Sequence, residues 1–343
     1  PDVDSQNQSS TLENILATGE YPMQLDSSGF DNINDDNADT IGDLSIEERS
    51  VGAFNIWTTS DQVFEDIADA DEPADALVGA VENETLLQRG DIATNGNEGD
   101  VIIHELEATG LEGLVANSSA DGDFIDAINL NESIEDQGLT LRVRQTDATT
   151  APNSGPKEAN ISAMAGDITV ISASGTYYIA FDSDDIVLED GDNVELDDGY
   201  DVRVRIEDRR LLDPQDEDDG DFEISDAYQS VTTSFTVVEA EGSFSTPIEV
   251  SNGEEQTISG TTNLAPGNTL GIRATSDEDV TPSFAVSGSE IEIQPDGSFA
   301  ADELDFSDAS TGDNFTVTTR QSGLAEEAEA DGTVVETVGG GEG

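Results

Sequence analysis

Apolar residues recur at alternate positions in short runs between Asn252 and Gln321. Thr257 and Ile258 open the series; Leu270, Ile272 and Ala274 alternate with Gly271 and Arg273; Ile291 and Ile293 flank Glu292; Phe315, Val317 and Thr319 close it. A period of two places successive side chains on opposite faces of a strand, so that one face can meet a core. Ala265-Pro266-Gly267-Asn268 and Pro295-Asp296-Gly297-Ser298 separate the runs, and these residue types supply the fixed or positive φ of tight turns. Short strands at this spacing predict a β-sandwich over residues 241–321.

The same period continues upstream. Val101 to Leu106, Leu139 to Gln145, Ile168 to Ser172, Thr176 to Phe181, Tyr200 to Ile206 and Ser230 to Val238 read as successive strands. Turns such as Asp190-Gly191-Asp192 and Asp197-Asp198-Gly199 join them. Ala53 to Thr58 is a further strand and holds the single tryptophan, Trp57. The period then changes. Ser60 suits an N-cap, Val63, Phe64, Ile67 and Ala68 follow at helical spacing, and Glu72-Pro73 starts a second helix with Ala76, Leu77, Val81 and Leu86 on one face. This helical pair is expected to cover one end of a sheet. The implied organisation is an acidic arm (1–50), a larger β-rich domain with a helical insertion (51–240), a sandwich (241–321) and an acidic, Gly-rich tail (322–343). The arm carries two apolar islands, Leu12/Ile15/Leu16 and Tyr21 to Leu25; in the tail Thr333 to Val338 alternates again, as a strand with no obvious partner.

Several stretches resemble the immunoglobulin-like repeats of haloarchaeal surface-layer glycoproteins and related large surface proteins. They are Gln256-Thr257-Ile258-Ser259-Gly260-Thr261-Thr262-Asn263-Leu264-Ala265-Pro266-Gly267-Asn268, Gln294-Pro295-Asp296-Gly297-Ser298-Phe299, Leu304-Asp305-Phe306-Ser307-Asp308 and Asn314-Phe315-Thr316-Val317, in the order and spacing of that family. Upstream, Gly99-Asp100-Val101-Ile102, Glu107-Ala108-Thr109-Gly110-Leu111-Glu112-Gly113, Thr176-Tyr177-Tyr178-Ile179 and Ser234-Phe235-Thr236-Val237-Val238-Glu239 extend the resemblance to roughly residues 99–321. It implies an all-β fold of tandem β-sandwich (immunoglobulin-like) domains with a small helical insertion. It further implies a structural subunit of an extracellular assembly on a halophilic archaeon, a surface layer or a filament, whose partners are copies of itself. The sequence departs from the family after Gln321, where an acidic segment and Gly339 to Gly343 stand in place of a Thr-rich stalk and apolar anchor. On this reading Thr333 to Val338 or Tyr21 to Leu25 could complete a sheet in the next subunit by strand addition.

Composition narrows the setting. The 343 residues include 78 acidic and 11 basic ones, a net charge of -67 at pH 7, and Lys157 is the single lysine. High charge with modest hydrophobicity also describes disordered chains, but disorder does not produce repeated alternating runs with turns between them. A surface suited to molar salt does account for both features, because there the Debye length is about 3 Å and carboxylate repulsion is screened. Such a charge excludes most nucleic-acid and anionic-membrane partners, which need clusters of Lys and Arg. Cysteine is absent, so sheet packing, salt and cations must supply what disulfides often give an exported protein. No apolar run is long enough to span a membrane.

Candidate chemistry is sparse. His104 is the only histidine, no Gly-x-Ser-x-Gly elbow is present, and a zinc site would need ligands this chain lacks; the expectation is a protein that is not an enzyme. Calcium is the better-motivated ion, since it takes several oxygens from flexible acidic loops. The candidate ligands are Asp182, Asp184, Asp185, Asp190, Asp192, Asp216, Asp218 and Asp221, none in an EF-hand pattern. Sequons for N-linked glycans occur at Asn7, Asn83, Asn117, Asn131, Asn160 and Asn314. The pairs Arg142/Arg144 and Arg203/Arg205 are spaced to share one strand face opposite Leu141, Val143, Val202 and Val204, and should be met by carboxylates. The alternative to an assembly is a monomeric secreted adhesin or polysaccharide-binding module, marked by an exposed aromatic platform; aromatic residues make up 5% of the chain.

Overall fold

The structure is a computed structural model that describes residues 19–25, 40–47, 49–96, 98–116, 124–129, 137–146, 155–191, 194–208 and 228–336. It is mostly β, in several multi-stranded sheets. The chain divides into two compact units, Pro1–Gly52 with Ala108–Thr140 and Arg205–Ser230, and Ala53–Glu107 with Leu141–Val204 and Val231–Gly343.

In the first unit β1 (Gly19–Leu25) and β2 (Thr40–Ile46) form a two-stranded antiparallel ribbon in which Tyr21 stands opposite Leu44 and Met23 opposite Gly42. Met23, Ile41 and Leu44 are exposed on it. The expected strand Tyr21 to Leu25 is therefore already paired on one side within its own chain. Two short helices, α3 (Glu112–Ala116) and α4 (Phe124–Asn129), follow in this unit, with Leu111, Phe124, Ile125, Ala127 and Ile128 buried. The expected helical turn at Leu12 lies outside the described residues.

The second unit contains most of one sandwich and the whole of another. The first is made from a sheet of order β3-β5-β8-β7 (Val51–Thr59, Val101–Ala108, Thr176–Asp182, Thr169–Ala173) and a sheet of order β4-β10-β9-β6 (Asp91–Thr94, Tyr228–Glu239, Gly199–Asp208, Gln137–Gln145). Strand alternation decides what lies between them: Ile102, His104, Leu106, Ile179 and Phe181 point one way, and Tyr200, Val202, Val204, Phe235 and Val237 are buried on the other sheet. Helices α1 (Asp61–Ala68) and α2 (Pro73–Glu82) begin where expected. Ser60 Oγ accepts the Val63 N–H, and Pro73 sits in the first turn, where its missing N–H costs nothing. Ile67, Leu77 and Ala80 pack on Val101, Ile103, Ile171 and Ala180, so the helices cover the face of the β3-β5-β8-β7 sheet rather than its end. A fifth short helix, α5 (Ile161–Met164), is capped by Asn160.

The second sandwich pairs a sheet of order β11-β13-β16 (Gly242–Phe244, Gln256–Thr262, Ser298–Leu304) with one of order β12-β18-β17-β14-β15 (Ile248–Ser251, Glu329–Val335, Asn314–Arg320, Thr269–Ser276, Ala285–Glu292). Leu270, Ile272, Ala274, Ile291, Ile293, Phe299, Phe315 and Val317 fill its core, as their alternation predicts. One expectation is corrected here. The run starting at Thr333 is not a spare strand: β18 lies between β17, antiparallel, and β12, parallel, and Val334 is buried in the same core. Its partners at Ile248–Ser251 are far away in sequence and too short to announce themselves. Residues 337 and 338 of that run lie outside the described residues.

Candidate functional site

The acidic loop after β8 begins at Asp182, whose carboxyl is half-buried and hydrogen-bonded to Asp184. Burial, then Asp184, push Asp182 up to about 8; Asp182 Oδ1 has no hydrogen-bond partner. Asp185 is also raised, by burial and then by Asp184, Asp167 and Asp61. Asp190 stands in a separate turn closed by the Gly191 N–H donating to the Leu188 carbonyl. Among the described residues no group of three or more carboxylates or imidazoles is arranged to hold a metal ion. Asp192, Asp216, Asp218 and Asp221 lie outside the described residues, so the structure brings together Asp182, Asp184 and Asp185 of the eight expected ligands.

His104 is wholly buried between the two sheets, stacked on Phe181 at 5.2 Å and flanked by Phe54 at 5.7 Å and Phe235 at 6.4 Å. Neither ring nitrogen has a hydrogen bond of ordinary geometry. Burial holds its pKa down at about 4, with the Ile179 main chain opposing weakly. The imidazole is neutral and shut away from any substrate. Because the unfolded chain titrates near 6.5, it binds the extra proton between that value and about 4. The stability due to neutral His104 is therefore complete above pH 6.5 and is lost as pH falls, by about 3 kcal/mol in all. We expect the difference in unfolding free energy between His104→Phe and the wild type, measured in the same molar salt, to grow in the variant's favour from pH 7 to pH 4.5; a difference independent of pH would show that His104 is not buried neutral.

Of the paired arginines, Arg142 meets a carboxylate directly, as do Lys157, Arg89 and Arg320 elsewhere. Arg142 donates from Nε at 2.5 Å and Nη2 at 2.7 Å to the two oxygens of Glu158, and these bonds hold Glu158 below the usual carboxylate range, with Arg144 and Arg203 adding to the effect. Leu141, Val143, Val202 and Val204 are buried on the opposite face. Lys157 Nζ reaches Glu195 at 2.6 Å and Asp198 at 3.1 Å, and Asp198 also accepts from Gln145 and Tyr200.

Two carboxylates that the sequence does not single out prove to organise polar groups. Glu105 on β5 accepts from Asn55 Nδ2, Trp57 Nε1 and Tyr178 Oη at 3.0, 3.0 and 3.2 Å, so both aromatic side chains on this half-exposed face are committed to one acid. Asp100, between β4 and β5, is wholly buried. Its Oδ2 accepts from Arg89 at 2.8 Å and from the Ala93 N–H at 3.3 Å, and its Oδ1 accepts from the Ala265 N–H at 2.9 Å and from Asn268 Nδ2 at 3.1 Å. Burial pushes this carboxyl up to about 6 against the pull of Arg89 and the three other donors, which leaves it ionised at neutral pH. With 78 acidic residues in the chain, no local signal marks these two.

Of the sequons, Asn83 is exposed at the end of α2. Asn160 Oδ1 accepts the Ala163 N–H and Asn314 Oδ1 accepts from Thr333, so both side chains are already held. Asn7, Asn117 and Asn131 lie outside the described residues.

Sandwich domains and a net charge of -67 define an acidic, all-β protein, and no helix among the described residues is long and apolar enough to cross a membrane. Sequence comparison carries this to a particular kind. No family model matches the chain. It is 30% identical to the cell surface glycoprotein of Haloferax gibbonsii over 354 residues, 98% of this chain and 37% of the relative. It is 29% identical to cell surface glycoproteins 1 and 2 of Haloarcula hispanica, over 89% and 92% of this chain and 32% and 33% of theirs. The chain is thus homologous to haloarchaeal cell surface glycoproteins along almost all of its length, and it spans about a third of the length of these curated relatives.

Proposed function

We propose that this chain is a structural, non-enzymatic module of an extracellular assembly on a halophilic archaeon, a surface layer or filament, joined to copies of itself through strand edges and ion pairs. The observation that carries the reading is the homology to cell surface glycoproteins over 98% of the chain. The fold supports it: β12 ends the five-stranded sheet and β11 the three-stranded one, while the opposite end strands, β15 and β16, lie beside each other. Since β18 is already paired on both sides and β1 on one side only, strand contacts between subunits fall to unpaired edges such as those of β11 and β12 and the free side of β1 rather than to β18. Calcium bridging through the acidic loops at Asp182, Asp184, Asp185, Asp190, Asp192, Asp216, Asp218 and Asp221 belongs to the same proposal, as does N-glycosylation.

Electron microscopy of native material in molar salt, before and after chelation of divalent cations, tests the assembly. Ordered sheets or filaments are expected, with disruption on chelation. Dispersed particles under both conditions would overturn it in favour of the monomeric binding module. For the glycans, glycopeptide mass spectrometry of native material is expected to find Asn83 modified more fully than Asn160 or Asn314, whose side chains are engaged. Unmodified Asn83 beside modified Asn314 would contradict this ranking.

A further inference from the structure

Apolar contact between two domains sets their proximity but not their angle, because burial of apolar surface is non-directional. Hydrogen bonds to an ionised group do set direction. Asp100 supplies such bonds at the junction between the two sandwiches. Two of its four donors, Arg89 and Ala93, come from the first sandwich's side of the junction; the other two, Ala265 and Asn268, come from the turn between β13 and β14 of the second. We infer that Asp100 is the lock that fixes the second sandwich at one angle on the first, so that the two move as a single rigid piece.

The surroundings fit a lock rather than a loose contact. The turn that donates to Asp100 is pressed against the N-terminus of α1: a Cβ at Gly267 would lie 2.3 Å from Val63 Cγ2 and 2.8 Å from Ser60 Oγ. Ala93 is part of the second sandwich's apolar cluster. The connection between the sandwiches is strapped as well. Asn263 Nδ2 donates to the Glu239 carbonyl at 2.7 Å, its Oδ1 accepts the Glu241 N–H at 2.8 Å, and the Ala240 N–H donates to the Thr94 carbonyl at 2.9 Å. At the centre, a carboxylate is the one small side chain able to accept from donors on both sides. An amide in its place would turn an NH2 group toward either Arg89 and Ala93 or Ala265 and Asn268, and one pair would face a donor instead of an acceptor. This inference does not depend on what the chain assembles into.

The chain has no cysteine, so two introduced ones can be labelled uniquely. Spin labels at Ser172→Cys and Glu254→Cys, both exposed and one in each sandwich, report the angle as a pulsed-dipolar distance distribution in molar salt. Asp100→Asn is expected to broaden that distribution and shift it to longer distances while far-UV dichroism stays unchanged. Asn268→Ala, which removes one of the two bonds to the second sandwich, should broaden it less. If Asp100→Asn does not fold, the Asn268→Ala distribution decides alone. Distributions as narrow as the parent's in every folded variant would overturn the lock.

Discussion

Dilution from molar salt to about 0.1 M is expected to unfold this protein, with loss of β-sheet dichroism at room temperature; the screening length grows from about 3 Å to about 10 Å over that range. At the shorter length a carboxylate feels only the groups it touches. At the longer one it feels its surface neighbours as well, and with 78 acidic residues against 11 basic ones most of those neighbours repel it. The ion pairs present cannot offset this. Arg320–Glu327 is exposed on both sides and Lys157 is the single lysine, and exposed pairs contribute about 0–1 kcal/mol each. Domain stability is about 5–15 kcal/mol, and repulsion summed over so many like charges is expected to exceed it. Equal dichroism and equal melting temperature in molar and millimolar salt would refute this account.

The second large effect is expected from one missing methyl group. Phe315 on β17 lies opposite Gly332 on β18, and a Cβ at Gly332 would fall 2.3 Å from Phe315 Cζ and 2.4 Å from Cε2. The ring has nowhere to go. It is buried with Phe306 at 5.3 Å and Phe284 at 6.2 Å. The other sheet repeats the arrangement, with Phe299 across Gly260. Glycine here is required for close approach of an aromatic ring, not for turning. Gly332→Ala should therefore destabilise the second sandwich by about 3 kcal/mol, the upper range for overpacking a core. In a Phe315→Leu background the same substitution should cost under about 1 kcal/mol, since the clash is with the ring. Denaturant unfolding of the four variants measures this, and additive costs would show that Phe315 is not the obstacle.

What the sequence determined alone is what acts over a few residues. The period of two at Leu270, Ile272 and Ala274 dictates a strand with one buried face, and Ser60 followed by Val63, Phe64 and Ile67 dictates a capped helix, because side-chain direction and end-capping are local. The charge set the solvent in the same way, as a sum over residues that needs no coordinates. Only the tertiary structure decided which strands pair: β18 finds β12 through Ile248 against Gly332, and no local pattern encodes a partner so distant. It also decided which acids matter. Asp100 and Glu105 carry the same side chains as dozens of solvated neighbours, and they differ only in how many donors the fold brings to them. Convergence of groups from separate strands is a property of packing, so one carboxylate becomes a junction while the rest remain surface charge.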